Sequence, residues 1–231
     1  MRVLPFLLLA TLAGCAEPDV AAGPSDPAAL HLLDAVGRDA AASAFERAAE
    51  ARSRVDVTMW RDGIEVGRET ATVVPASDGA YRLTDVTASG ELAGDSESTT
   101  RGLRDPLQTA LSDDPPYLDP AVREAYRIAV VGDTAFGGLR FQLVEAVLVD
   151  TTRDLGIRRV WAAVVPETGL VGAVEVDRMA ASAIYDEESR VRVDLTPGPD
   201  GWRPRRVVTD TQTDVPLSAP TRIRAVWTVE E

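Results

Sequence analysis

Apolar and polar residues alternate along most of this chain, and that period limits the folds it can adopt more than any other feature. In the segment 190–195, Val191, Val193 and Leu195 alternate with charged residues, and 221–229 has the same period. Successive side chains on a β-strand point to opposite faces, so a sheet with one buried and one wet face produces this alternation. The pattern therefore predicts antiparallel strands.

Turn sequences separate the alternating segments. They read DG at 62–63, FGG at 136–138 and PETG at 166–169. Asp-Gly between two alternating runs is a strong hairpin signal, because glycine readily adopts the positive φ that tight hairpins need. Counting the segments predicts a mainly β (α+β) protein with about 9–11 strands in meander order.

The chain also carries one long helical pattern near its start. Asp26 is placed as the N-cap and Pro27 occupies the first helical position. Apolar residues then recur at helical spacing, and we expect the helix to end near Arg52. His31, the single histidine, lies on this helix among leucines and is expected to be partly buried.

A second break in the β pattern lies at the middle of the chain. The segment 101–118 predicts a short amphipathic helix followed by a proline-rich loop, and the leucines that define it are Leu103, Leu107 and Leu111. Asp119 and Pro120 then predict another short helix through Tyr126. These short elements are placed over one face or the mouth of a curved sheet.

The first fifteen residues have the layout of an export signal. Arg2 supplies a positive start, 3–11 is apolar, and small residues precede Cys15. An apolar run this short is the core of a signal peptide, since a spanning helix needs about 20 residues. The Leu-Ala-Gly-Cys tetrapeptide resembles the lipobox of bacterial lipoproteins. That resemblance implies cleavage between Gly14 and Cys15 and attachment of acyl chains, palmitate among them, to Cys15.

A tether and a single domain are expected after the signal peptide. Residues 15–26 are rich in Pro, Gly and Asp and predict a flexible link, and 27–231 form one domain. Ala16 rather than Asp follows the lipidated cysteine, which by analogy with Gram-negative sorting favours the periplasmic face of the outer membrane. The alternative is an ordinary secretory signal with an incidental cysteine, but Cys15 is the only cysteine in the chain.

Two short segments resemble the LolA/LolB family of outer-membrane lipoprotein-sorting proteins. RRVWAAVVPETGLVGAVEVD is similar to a family strand–turn–strand with Trp followed by Pro-x-Thr-Gly, and DGWRPRRVV is similar to a family strand ending in Gly-Trp-x-Pro. The resemblance covers about residues 27–231. It implies a curved antiparallel half-barrel, with one long N-terminal helix and short helices covering its concave face. It also implies an apolar cavity inside.

Composition and residue types argue against several classes of function. A net charge of −13 disfavours nucleic acid and anionic lipid headgroups as partners. One histidine and one cysteine cannot assemble a His/Cys metal site, and neither a nucleophile elbow nor a phosphate-binding loop is present. We therefore expect no enzyme activity, no cofactor and no metal. A hydrolase built on paired carboxylates stays open, but the acidic pairs at 113–114 and 187–188 read as solvated turn residues, and those at 95 and 97 lack the spacing of a calcium loop.

Aromatic residues on the predicted strands are the remaining site candidates. Core packing is one interpretation, since aromatic side chains account for much of any core. The other is that several line an apolar ligand cavity under a lid of Leu103, Leu107 and Leu111; the candidates are Trp60, Tyr81, Phe141, Trp161 and Trp227, with Trp202 considered beside them. The leading hypothesis is a membrane-anchored envelope lipoprotein that binds a lipid or lipoprotein acyl chains. The alternative is a protein-interaction module in envelope assembly or stress sensing.

Overall fold

A computed structural model describes residues 24–35, 51–75, 81–93, 119–153, 155–182, 184–198 and 201–230. Two helices and ten strands lie within these ranges. The helices are α1 (Pro27–Ala35) and α2 (Pro120–Arg123). The strands are β1 (Ser53–Arg61), β2 (Ile64–Pro75), β3 (Tyr81–Gly90), β4 (Tyr126–Phe136), β5 (Leu139–Leu148), β6 (Ile157–Val164), β7 (Val171–Ala181), β8 (Asp186–Gly198), β9 (Gly201–Asp214) and β10 (Thr221–Val229).

All ten strands form one curved, unclosed antiparallel sheet in the order β3-β2-β1-β10-β9-β8-β7-β6-β5-β4. The prediction of a mainly β half-barrel is confirmed. The predicted meander order is correct for β1–β3 and for β4–β10, but it misses the pairing of the first strand with the last. Val55 lies opposite Trp227 and Val57 opposite Ala225 in that central pair. Pairing the first strand with the last places both within the sheet, where each has a neighbouring strand on either side.

The hairpin turns follow from residues that accept positive φ. Asp62 and Gly63, at φ 50° and 76°, connect β1 to β2. Gly137 and Gly138, at φ 57° and 78°, connect β4 to β5. Two consecutive residues with positive φ match the right-handed twist of the flanking strands. The turn predictions at these positions are confirmed.

The start of α1 is also as predicted. The Asp26 carboxylate accepts a hydrogen bond from the Ala28 backbone N–H at 2.9 Å, and Leu30 N–H donates to the Asp26 carbonyl. The helix was predicted to continue toward Arg52, but residues 36–50 lie outside the described part of the chain. His31 is exposed on α1 rather than partly buried, because Ala29, Leu32 and Leu33 form the buried side.

Helix α2 begins as predicted and ends earlier. The Asp119 carboxylate accepts from the Ala121 N–H at 2.9 Å, but the helix stops at Arg123. Tyr126 instead opens β4, where its buried hydroxyl donates to the Ile157 carbonyl at 2.9 Å. Burial raises the pKa of the Tyr126 phenol to about 12. None of the helices in the described ranges combines the length and hydrophobicity required to traverse a bilayer.

The sheet has an inner face, which we define as the side that packs against α1, and an opposite outer face. The inner face holds the largest apolar cluster, contributed by α1 and strands β4–β9; its fully buried members include Ile128, Val164, Val176, Val191 and Val193. A smaller inner cluster joins β1, β2 and β10 and contains Val55, Val57, Val73, Leu92 and Ala225. The core of the described part of the chain is therefore built mainly from valine and alanine.

Candidate functional site

Trp227 occupies the centre of the inner face. It packs against both inner clusters, with Val55 on one side and Val207 on the other. Its indole Nε1 is buried and has no hydrogen-bond partner among the described residues. A buried tryptophan N–H normally finds an acceptor, so this unsatisfied donor is an unusual feature of the inner face.

Two of the predicted cavity residues lie on the outer face instead. Trp60 is directly opposite Arg222 in the β1–β10 pair, and the Arg222 guanidinium lies 5.5 Å from the centre of its ring. Trp161 alternates with the inner residues Val160 and Ala162, and Arg192 lies 5.7 Å from its ring centre. Strand periodicity thus separates these two tryptophans from Trp227.

Phe141 is also on the outer face, where it belongs to a third apolar cluster near the β4–β5 and β6–β7 turns. Its ring is 1% exposed and stacks on Phe136 with the ring centres 4.0 Å apart. The five aromatic candidates therefore do not form one site. The Tyr81 and Trp202 side chains, the leucines Leu103, Leu107 and Leu111, and Gly14 and Cys15 lie outside the described residues.

Two shallow grooves lined by described residues lie on the outer face. The larger has a volume of about 370 Å³ and the smaller about 250 Å³, and Asp177 lines both. Two arginines of the larger groove are held by carboxylates on neighbouring strands: Arg190 Nε lies 2.6 Å from Asp177 Oδ1, and Arg222 Nε lies 2.7 Å from Asp210 Oδ1. These hydrogen bonds raise the pKa of both arginines.

One ion pair of this face has a buried carboxylate. Glu145 is 2% exposed, and Arg159 Nε donates to its Oε1 at 2.6 Å. The sequence shows that arginine and acidic residues alternate on the strands of this face. Which arginine lies beside which carboxylate depends on the strand register, so sequence reasoning missed these ion pairs.

The described residues contain no group of three or more His, Cys, Asp or Glu side chains placed to hold a metal ion. Glu187 and Glu188 lie on β8 rather than in the predicted loop, because the strand begins at Asp186. The acidic residues at 95, 97, 113 and 114 lie outside the described ranges.

No family model and no curated protein matches the chain. Among solved structures, it is similar to the Pseudomonas aeruginosa MucA/MucB complex, at 13% identity over 85% of this chain and 94% of that one, with a TM-score of 0.23. A LolA superfamily protein from Nitrosomonas europaea matches at 11% identity over 83% and 94%, with a TM-score of 0.25. An outer membrane lipoprotein-sorting protein domain from Vibrio parahaemolyticus matches at 10% identity over 84% and 90%, with a TM-score of 0.27. Likenesses this remote assign no function to the chain.

Proposed function

We propose that this protein is a non-enzymatic, lipid-anchored protein of the bacterial cell envelope that binds an apolar ligand against its inner face. The ligand is a lipid or the acyl part of a lipoprotein. The unpartnered Trp227 N–H, set between two apolar clusters, is the observation that carries this function. An acyl chain offers hydrocarbon to the clusters and an ester or amide carbonyl to the indole.

The residues around Trp227 suit such a ligand. Val55, Val57, Val207 and Ala225 pack around Trp227 as buried side chains without polar atoms. Removing hydrocarbon from water is favourable by about 25 cal/mol per Å² of apolar surface. A single donor in an apolar lining orients the ligand while most of the binding free energy comes from burial.

A brominated fatty acid tests this proposal, because bromine quenches tryptophan emission only at close range. In the processed chain, a dibrominated stearic acid should quench fluorescence in a saturable way, and Trp227→Phe should remove most of that quenching. Trp60→Phe and Trp161→Phe are matched controls, since both rings lie on the outer face.

Two results would count against ligand binding at the inner face. One is the absence of saturable quenching in the unmodified protein. The other is quenching that survives Trp227→Phe but disappears with Trp161→Phe, which would place the fatty acid on the outer face.

The proposed anchor is tested separately through Cys15. In a host that lipidates exported proteins, Cys15→Ser should move the protein from the membrane fraction to the soluble periplasmic fraction. Serine cannot form the thioether to the diacylglycerol. Even one remaining acyl chain would bind the membrane only marginally. Fractionation and mass measurement of the mature N-terminus provide the readout; a serine variant retained firmly in the membrane would refute acylation as the anchor.

A second candidate function, docking of an envelope protein, is favoured by the outer face. Tryptophan and arginine are enriched at protein interfaces, and Trp161 with Arg192 borders the smaller groove. The Pseudomonas aeruginosa structure named above is itself a complex of two proteins. Native mass spectrometry of protein extracted from its host separates the candidates: bound lipid supports the first, and a bound protein with no lipid supports the second.

A further inference from the structure

Exposed apolar side chains are concentrated at one end of the sheet. The described residues include ten large hydrophobic side chains that are exposed, and three of them, Val86, Val131 and Phe136, lie elsewhere. The other seven lie at or beside the connections β1–β2, β5–β6, β7–β8 and β9–β10; they are Ile64, Val149, Ile184, Tyr185, Val215, Leu217 and Ile223. We call this end of the sheet the hairpin rim.

Strand register places these connections side by side. Arg61 at the end of β1 lies opposite Thr221 at the start of β10, and Asp214 at the end of β9 lies opposite Asp186 at the start of β8. A backbone hydrogen bond of 3.0 Å from Asp62 N–H to the Pro220 carbonyl joins two of the turns. The apolar tips therefore project in the same direction from neighbouring hairpins.

Leu217 is the most unusual of the tips. Its side chain is fully exposed, and its backbone has φ 67°, the left-handed region that costs a non-glycine residue about 1–2 kcal/mol. Asparagine or glycine would satisfy this turn with less strain. Neither packing nor backbone conformation accounts for a leucine here, so its side chain points to an external partner.

The N-terminal part of the described chain is attached at the same end. Asp26 N–H donates to the Ile128 carbonyl at 2.8 Å, and Ile128 N–H donates to Ser25 Oγ at 3.1 Å. These bonds hold residues 25 and 26 beside the first residues of β4, whose start is level with the end of β5. Eight residues lie between Cys15 and Pro24, so an acylated Cys15 lies within about 30 Å of this end.

We infer that the hairpin rim contacts the lipid bilayer, with Ile64, Ile184 and Leu217 inserted at the interface between headgroups and acyl chains. This inference rests on the proposed anchor at Cys15. Separate tips on three hairpins suit a fluid bilayer, because each can insert without a matching pocket. A chain with net charge −13 fits a zwitterionic surface better than an anionic one.

This orientation also extends the proposed function. Ile223, at the rim, lies on the same strand and the same face as Ala225 and Trp227. Met59, opposite Ile223, packs against the smaller inner cluster. An apolar ligand could therefore pass from the bilayer to Trp227 along side chains of β1 and β10 with little exposure to water.

A single fluorescent label tests the inference in the acylated protein reconstituted into phosphatidylcholine vesicles. Because Cys15 is the only native cysteine and carries the lipid, Leu217→Cys offers one free thiol for the dye NBD. We expect a blue-shifted emission and several-fold stronger quenching by doxyl-labelled lipid than for the control Val131→Cys. Val131 is also exposed, but it lies within β4.

The same samples separate failure of the inference from failure of the anchor. In one outcome, the protein floats with the vesicles but its label at 217 is as accessible to water as the label at 131. That result refutes the contact between the rim and the bilayer and leaves the anchor intact. Protein that does not float refutes the anchor and with it this orientation. Protection at 217 that requires added envelope proteins would assign the rim to a protein partner and overturn the bilayer contact.

Leu217→Asn supplies a second measurement that does not depend on a label. Asparagine tolerates the left-handed conformation, so the free energy of unfolding should stay the same or rise. In the Cys15→Ser background, binding to phosphatidylcholine vesicles should fall several-fold. Lower stability with unchanged vesicle binding would show that Leu217 serves the fold instead.

Discussion

Replacing Arg159 by methionine should lower the free energy of unfolding by about 3–5 kcal/mol, because it leaves a buried carboxylate without its counter-charge. Glu145 is 2% exposed, and its Oε1 accepts from Arg159 Nε at 2.6 Å. Its other oxygen, Oε2, has no hydrogen-bond partner among the described residues. Urea unfolding followed by circular dichroism measures the change.

Two controls separate this effect from a loss of side-chain volume. The double variant Glu145→Leu with Arg159→Met should recover much of the stability, since apolar residues of similar size can replace a buried ion pair. Arg68→Met removes the exposed pair with Glu65 and should leave stability close to that of the unmodified protein. Equal losses for Arg159→Met and the double variant would show that the ion pair itself matters little.

Gly90→Ala is the second substitution expected to have a large effect, with a loss of about 3 kcal/mol from backbone strain and overpacking together. Gly90 has φ 62° at the end of β3, and a Cβ atom there would overlap the Val66 carbonyl oxygen. The turn it makes allows Glu91 N–H to donate to the same carbonyl at 2.9 Å. It also brings Leu92 into the smaller inner cluster.

Gly137→Ala is the matched control for that substitution. Gly137 has a similar φ of 57°, but a Cβ atom there would meet nothing within 4 Å. The difference between the two alanine variants in unfolding free energy therefore measures the steric contact with Val66. Similar losses would indicate that the backbone conformation alone explains the requirement for glycine at position 90.

Local features of the fold were predictable because they depend on neighbouring residues. The Asp62–Gly63 turn follows from two residues that accept positive φ, and the Asp26 cap follows from one side chain two residues before the N–H it binds. The end of α2 was predicted too late, because Tyr126 is drawn into β4 by its bond to Ile157, 31 residues away. A sequence pattern does not report such a distant partner.

The candidate site shows the same difference between local features, which the sequence predicts, and long-range contacts, which it does not. Trp60, Phe141, Trp161 and Trp227 all lie on strands, as the alternation predicted, yet only Trp227 faces the side that carries α1. Which side of a strand is inner depends on what covers the sheet, and that information is not local. The burial of Glu145 beside Arg159 depends likewise on the register between β5 and β6.

Period-two alternation and turn chemistry, read from the sequence by itself, determined that the chain forms antiparallel β-hairpins, since both act over a few residues. The lipobox-like start remains a prediction of the sequence, because residues 1–23 lie outside the described part of the chain. Tertiary structure alone decided that β1 pairs with β10, which tryptophan faces inward, and that the apolar tips gather at one rim. Each of these depends on contacts between residues far apart in the chain. Such contacts form, and contribute to stability, only when the whole sheet is assembled.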